Sequence, residues 1–247
     1  MQQNNTGERE MKTNSNSYTI VYSIVMVVVV AFLLAFVFQA LKPAQDTNVA
    51  LDKKKQILYA LNIRNLTDQA AAEKYKNVVL SDDIIDTNGQ VAEKGETGAE
   101  NHGFKLDSKD FKEGRLALYT CKVDGKIKYV IPVYGMGLWG AISGYIAIND
   151  DKSTVYGAYF NHESETAGLG AEIKDNQKWQ ELFRGKHLFG SNPTTIALSV
   201  SKKIENVETE VDAVTGATLT CNGVTDMLHN CLSKYIKFLQ QNDLNED

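Results

Sequence analysis

The sequence predicts an α+β domain, an antiparallel sheet with covering helices, preceded by one apolar helix. Three observations carry that reading. Ile20 to Phe38 is almost wholly apolar and uncharged, and nineteen residues at helical rise nearly match the hydrocarbon thickness of a bilayer. Residues 116–160 alternate apolar and polar runs with turn residues between them. Val224, Met227, Leu228, Cys231, Leu232, Tyr235, Ile236 and Leu239 then recur at i, i+3, i+4 and i+7, the stripe of an amphipathic helix.

Composition excludes several classes. A chain of 247 residues can hold one good-sized domain plus an anchor. A net charge of -5 argues against a nucleic-acid partner. The three cysteines, Cys121, Cys221 and Cys231, include no C-x-x-C pair, which speaks against a metal or iron–sulfur site made by this chain alone. Their number is odd, so at least one is free or pairs outside the chain.

In chain order, residues 1–17 are polar and read as a disordered tail. Residues 18–41 read as a transmembrane helix, with Tyr18 and Tyr22 near one end as interfacial aromatics. A signal peptide is the competing reading; the run is long for one, and 39–43 is a poor cleavage site. Arg9 and Lys12 precede the apolar run, and Lys42, Lys53, Lys54 and Lys55 follow it. By that count alone the domain would face the cytoplasm. Residues 42–115 read as a helical stalk (Leu51–Leu61), a second short helix (Ala70–Val79) and, over 81–115, irregular structure.

The core is expected at 116–240, with a tail at 241–247. Leu116–Val123 and Ile127–Val133 flank Asp124-Gly125, a strong hairpin signal. Ile142–Ile148 and Thr154–Phe160 continue an antiparallel meander, one face of which takes a covering layer. Residues 175–184 look helical, and Val200–Val211 reads as an edge strand.

Asp212 to Thr220 packs hydroxyls and small residues directly before the last helix, so its threonines sit where unpaired N–H groups favour a cap or a phosphate. Three motifs are now in view: Gly-Met-Gly-Leu-Trp-Gly at 135–140, Glu-Thr-Ala-Gly-Leu-Gly at 165–170, and Thr-Gly-Ala-Thr-Leu-Thr at 215–220. Together they resemble the FMN-binding domain of the C subunit of the Na+-translocating NADH:quinone reductase, over about residues 18–240. The G subunit of the Rnf electron-transport complex shares this domain and is the alternative. Ala167 stands where the family usually has proline; that change costs about 0.4–1 kcal/mol through chain entropy and removes no functional group. Cys221 stands where the family often has serine.

The resemblance implies a membrane-anchored electron carrier with covalent FMN, within a complex that moves electrons from NADH to quinone and exports Na+. It implies no independent catalysis by this chain. The expected partners are the other subunits of that complex, the membrane and, during maturation, a flavin transferase. The domain is expected on the periplasmic side of the bacterial cytoplasmic membrane, against the lysine count. Asp-x-x-Thr-Gly-Ala-Thr resembles the flavinylation motif, which makes Thr218 the phosphoester threonine. Thr215 and Thr220 are read as phosphate ligands or helix caps, Gly216 and Ala217 as steric openings, and Asp212 as a transferase contact or a turn former. Leu138 and Trp139 are candidates for the flavin wall, with core packing the competing reading for Trp139. Glu165, Thr166, Leu169 and Gly170 belong to the second wall. A non-redox tethered module would make the threonines a simple cap. A hydrolase or metal site would instead use His162, Glu163 and Glu165.

Overall fold

The computed structural model describes residues 15–241. Most of the two expected tails lies outside them, although Asn16 and Ser17 already belong to the first helix. That helix, α1, runs Asn16–Ala60 with Pro43 inside it, so the expected anchor and stalk are one helix. It is long and apolar enough to cross a membrane. The chain forms two compact units, Met1–Ala50 and Leu51–Asp247, and the second contains the sheet.

Six antiparallel strands form that sheet: β1 (Val79–Ile85), β2 (Val91–Glu93), β3 (Leu116–Val123), β4 (Lys126–Met136), β5 (Ala141–Asn149) and β6 (Val155–His162), in the order β2-β1-β3-β4-β5-β6. The 116–160 meander is present. Asp124 (φ 49°) and Gly125 (φ 80°) make the β3–β4 turn, both at positive φ as a two-residue hairpin turn requires.

The segment 81–115 is irregular only in part. It holds β1, β2 and, after a 3-10 turn at Gly103–Lys105, helix α3 (Ser108–Lys112). Asp82 and Asp83 hide β1 in the sequence, because two carboxylates in mid-strand break the apolar signal. Both are buried there and draw backbone donors: Asp83 Oδ1 accepts the Gly95 N–H, and Asp82 Oδ2 accepts those of His102 and Phe104, while Asp82 Oδ1 has no partner among the described residues.

Both faces of the sheet are covered, not one. Leu116, Leu118, Ile131, Val133, Ile146 and Phe160 share a core with the C-terminal helices and with Trp179 and Phe183. The other face carries Tyr119 and Tyr145, whose rings pack edge-on, and Tyr159, which packs on Tyr59 of α1. Helix α2 (Asp68–Val78) contributes the buried Tyr75. Strand alternation sends the two sets of side chains to opposite faces of the sheet.

The 175–184 helix is two short ones, α4 (Glu172–Asp175) and α5 (Gln177–Glu181), parted at Asn176, whose side chain caps Trp179 N–H at 3.2 Å. Residues 200–211 are not an edge strand of the main sheet. They contribute to a separate parallel pair, β7 (Ser199–Ser201) with β8 (Glu210–Asp212). The last helix is also broken: α6 (Thr218–Leu232), a 3-10 turn at Ser233–Tyr235, then α7 (Ile236–Leu239). The apolar stripe continues across the break because Tyr235 is fully buried there, its hydroxyl donating to Ala117 O at 2.8 Å.

Two contacts aim α6. A Cβ at Gly223 would overlap Met136 O, so only glycine lets the helix lie on the end of β4. Trp179 Nε1 donates to Asp212 O at 2.7 Å, fixing the chain as it leaves β8. All three cysteines are buried thiols.

Candidate functional site

Three loops meet at the start of α6. The first joins β4 to β5: Met136 pairs with Ala141, so Gly137-Leu138-Trp139-Gly140 forms the turn, closed by Gly137 N–H to Gly140 O at 2.8 Å. The second follows β6. His162 Nδ1 accepts the Glu165 N–H at 3.2 Å, and Thr166 O accepts the N–H groups of Leu169 and Ala171 at 3.1 and 3.0 Å. The third is the turn from Val214 to Ala217, where Gly216 has φ 80° and Ala217 N–H donates to Val214 O at 3.1 Å. Positive φ at that position selects glycine.

The Glu165 carboxylate joins the first two loops to the start of α6. It is 8% exposed. Oε1 accepts Trp139 N–H at 2.9 Å, and Oε2 accepts the Thr220 hydroxyl at 2.6 Å. Burial alone would raise this carboxyl; the Thr220 bond and the N–H groups of Trp139, Gly140 and Leu138 outweigh it and hold the group below its usual range. The glycines of the first two motifs follow from this placement. A Cβ at Gly137 would overlap Oε1, and one at Gly170 would overlap Oε2. Ser164 Oγ adds a bond to Trp139 O at 3.2 Å.

Around this tie lies a cavity of about 320 Å³. Leu138, Trp139, Glu165, Thr166, Leu169 and Gly170 line it from one side. Gly216, Ala217, Thr218, Leu219 and Thr220 line it from the other. Every cofactor contact expected from the sequence is therefore in the wall except Thr215, which is exposed elsewhere on the turn. Leu219 is the residue sequence reading missed. Its signal was available: it falls off the buried stripe of α6 yet is a leucine, and it is 59% exposed.

Two side-chain expectations need correction. Thr215 and Thr220 do not cap α6. The cap is Ala217, with no side-chain hydrogen bond, and no acidic residue stands in the first turn. Thr220 is spent on Glu165, leaving Thr218, half-buried, as the first helical residue. Core packing does not explain Trp139, which is 66% exposed; Trp179 is the tryptophan in the core. The exposed faces of Leu138, Trp139 and Leu169 form an apolar wall opposite a helix start whose first N–H groups have no intrahelical acceptor. The His162, Glu163 and Glu165 set does not converge, because His162 Nδ1 faces the Glu165 N–H while the Glu165 carboxylate faces Trp139 and Thr220. A larger cavity, about 570 Å³, is walled by polar side chains including Asn62, Arg64 and Arg184, and holds none of the motif residues.

Comparison with known proteins gives the family. Residues 137–233, which contain the cavity, match the model of an FMN-binding domain. The C subunit of the Na(+)-translocating NADH-quinone reductase of Haemophilus ducreyi is 31% identical over 231 residues, covering 85% of this chain and 87% of that protein. This chain belongs to the C-subunit family of Na(+)-translocating NADH-quinone reductase. The Pseudomonas aeruginosa C subunit is also 31% identical, over 89% of this chain and 92% of its own. The crystal structure of the C subunit from Parabacteroides distasonis superimposes with a TM-score of 0.74 at 35% identity, covering 82% of this chain and 98% of that one. The α+β fold is thus that of the C-subunit family.

The Glu165 tie has a measurable cost of removal. Thr220→Val deletes a hydrogen bond to a buried carboxylate and is expected to lower stability by about 1.5–3 kcal/mol at neutral pH, read by urea unfolding. The Glu165 carboxyl is depressed in the folded state, so its contribution is complete above pH 4.5 and fades as pH falls through the folded value. The gap between variant and wild type should accordingly narrow on acidification below that point. A constant gap would contradict the tie.

Proposed function

We propose that this chain is the flavin-carrying electron-transfer subunit of its complex, with FMN joined to Thr218 Oγ1 through a phosphoester. The observation that carries the reading is the position of Thr218. It is the first residue of α6, on the rim of the apolar cavity, at a helix start that no side chain caps. The fit to FMN is both steric and electrostatic. A phosphate on Thr218 meets the free N–H groups and positive dipole end of the helix. Leu138, Trp139 and Leu169 offer apolar surface for a flat ring system, and Gly216 keeps the acceptor turn open to a flavin transferase. Attachment breaks the Thr218 O–H bond and one P–O bond of the activated flavin phosphate that the transferase supplies; the Thr218 O–P bond forms, and the donor's leaving group departs with the proton.

Once bound, FMN supplies reversible electron storage, which the chain's own groups do not. The protein's part is to hold the phosphate, shield one face of the ring and keep the loops closed. Electrons then pass to and from other subunits of the NADH-to-quinone complex, whose turnover exports Na+. In the same reading α1 anchors the chain in the bacterial cytoplasmic membrane, and the unit from Leu51 lies on the periplasmic side. Support for the anchor is the uncharged span from Ile20 to Phe38.

Two experiments test this. Co-expressed with a flavin transferase, the wild-type chain should give a band that fluoresces under ultraviolet light after denaturation, with an intact mass raised by one FMN less one water. Thr218→Ala should lose both while still folding. Flavin released completely on denaturation would rule out the covalent link. For orientation, protease added to intact spheroplasts should digest the unit beginning at Leu51; protection until lysis would place it in the cytoplasm.

A further inference from the structure

We propose that Glu165 is a positioning residue with an added electrostatic role, its carboxylate being a built-in negative charge that holds the reduction potential of the flavin low. This rests on the proposed attachment of FMN at Thr218. Among the described residues that line the cavity, Glu165 alone carries a charge. The remaining wall is leucine, tryptophan, threonine, alanine and glycine. No lysine or arginine forms an ion pair with it among the described residues; the salt bridges lie at Lys54, Lys55 and Arg115. The charge is therefore eased only by hydrogen-bond donors, the Thr220 hydroxyl and the N–H groups of the 138–140 turn.

The fold commits to this charge. Several donors converge on one acceptor, which a carboxylate satisfies because it accepts without donating. The glycines at 137 and 170 leave the room that its two oxygens occupy. Such a group in a partly apolar wall acts on its surroundings more strongly than it would in water. Accepting an electron adds one unit of negative charge to the flavin until a proton follows, and a neighbouring anion opposes that step. Removing the anion makes the flavin easier to reduce.

Mechanical and electrostatic roles are separable. In Glu165→Gln the amide oxygen still accepts Trp139 N–H, and the amide NH2 donates to the Thr220 hydroxyl, so much of the tie survives while the charge is lost. Thr220→Val does the reverse: it breaks one arm of the tie and keeps the charge.

The test is a spectroelectrochemical titration of the full-length, covalently flavinylated protein at neutral pH. Glu165→Gln should shift the midpoint potential to more positive values, whereas Thr220→Val, which keeps the charge and removes one of the donors that ease it, should not shift it positive. Thr166→Lys, an exposed position on the same wall and outside the tie, should also shift it positive, and carries the test if Glu165→Gln does not fold. An unmoved potential in Glu165→Gln overturns the inference, as does a Thr220→Val shift equal to that of Glu165→Gln. With Glu165→Gln unfolded, an unmoved Thr166→Lys potential overturns it as well. A wild-type chain without a fluorescent denatured band rejects the attachment instead, and the electrostatic role with it.

Discussion

The candidate site depends on one buried carboxylate. Glu165 bonds to Trp139 across 26 residues and to Thr220 across 55, so a single side chain fixes the relative positions of three segments. Closing such loops costs chain entropy, and the return comes from charge-assisted hydrogen bonds in a water-poor setting. This changes the meaning of the glycine-rich motifs. Glycine at 137 and 170 is required by the carboxylate oxygens that fill the space beside them, before any ligand is considered.

The rest of the unit is a frame for that tie. The β4–β5 hairpin delivers Leu138 and Trp139 at its turn, and β6 ends three residues before Glu165. Helix α6 supplies Thr218 and Thr220 from its first turn while Val224, Met227 and Leu228 bury its inner face against the sheet. Cys231 Sγ donates to Tyr134 O at 3.2 Å, pinning the far end of α6 to the same strand that leads into the turn. Both faces of the sheet are covered, so the strands behind the site are packed on either side. The exposed apolar side chains at 138, 139, 169 and 219 gather at one cavity and are the surface that the proposed FMN would cover.

Much of this was legible in the sequence, for physical reasons that differ by element. The meander was readable because alternation and Asp124-Gly125 are local signals. Strand β1 was not, because Asp82 and Asp83 look like loop residues until their backbone donors, 12 to 22 positions away, are in place. The wall residues were found through motif resemblance, and all but Thr215 gather at the cavity. Their division of labour was not legible. Thr220 looked like a cap and is a strut; Trp139 competed with the core and is exposed; Glu165 looked like a loop ligand and bonds to the Trp139 N–H and the Thr220 hydroxyl. Each depends on a contact between segments far apart in the chain, which spacing does not encode.

The most direct test of the carboxylate tie is amide hydrogen exchange on the unflavinylated protein, followed at Leu138, Trp139 and Gly140. Slow exchange is expected at these turn amides in the wild type and rapid exchange in Glu165→Ala, with the β4–β5 ladder unchanged in both. Turn amides that exchange at unprotected rates in the wild type would contradict it.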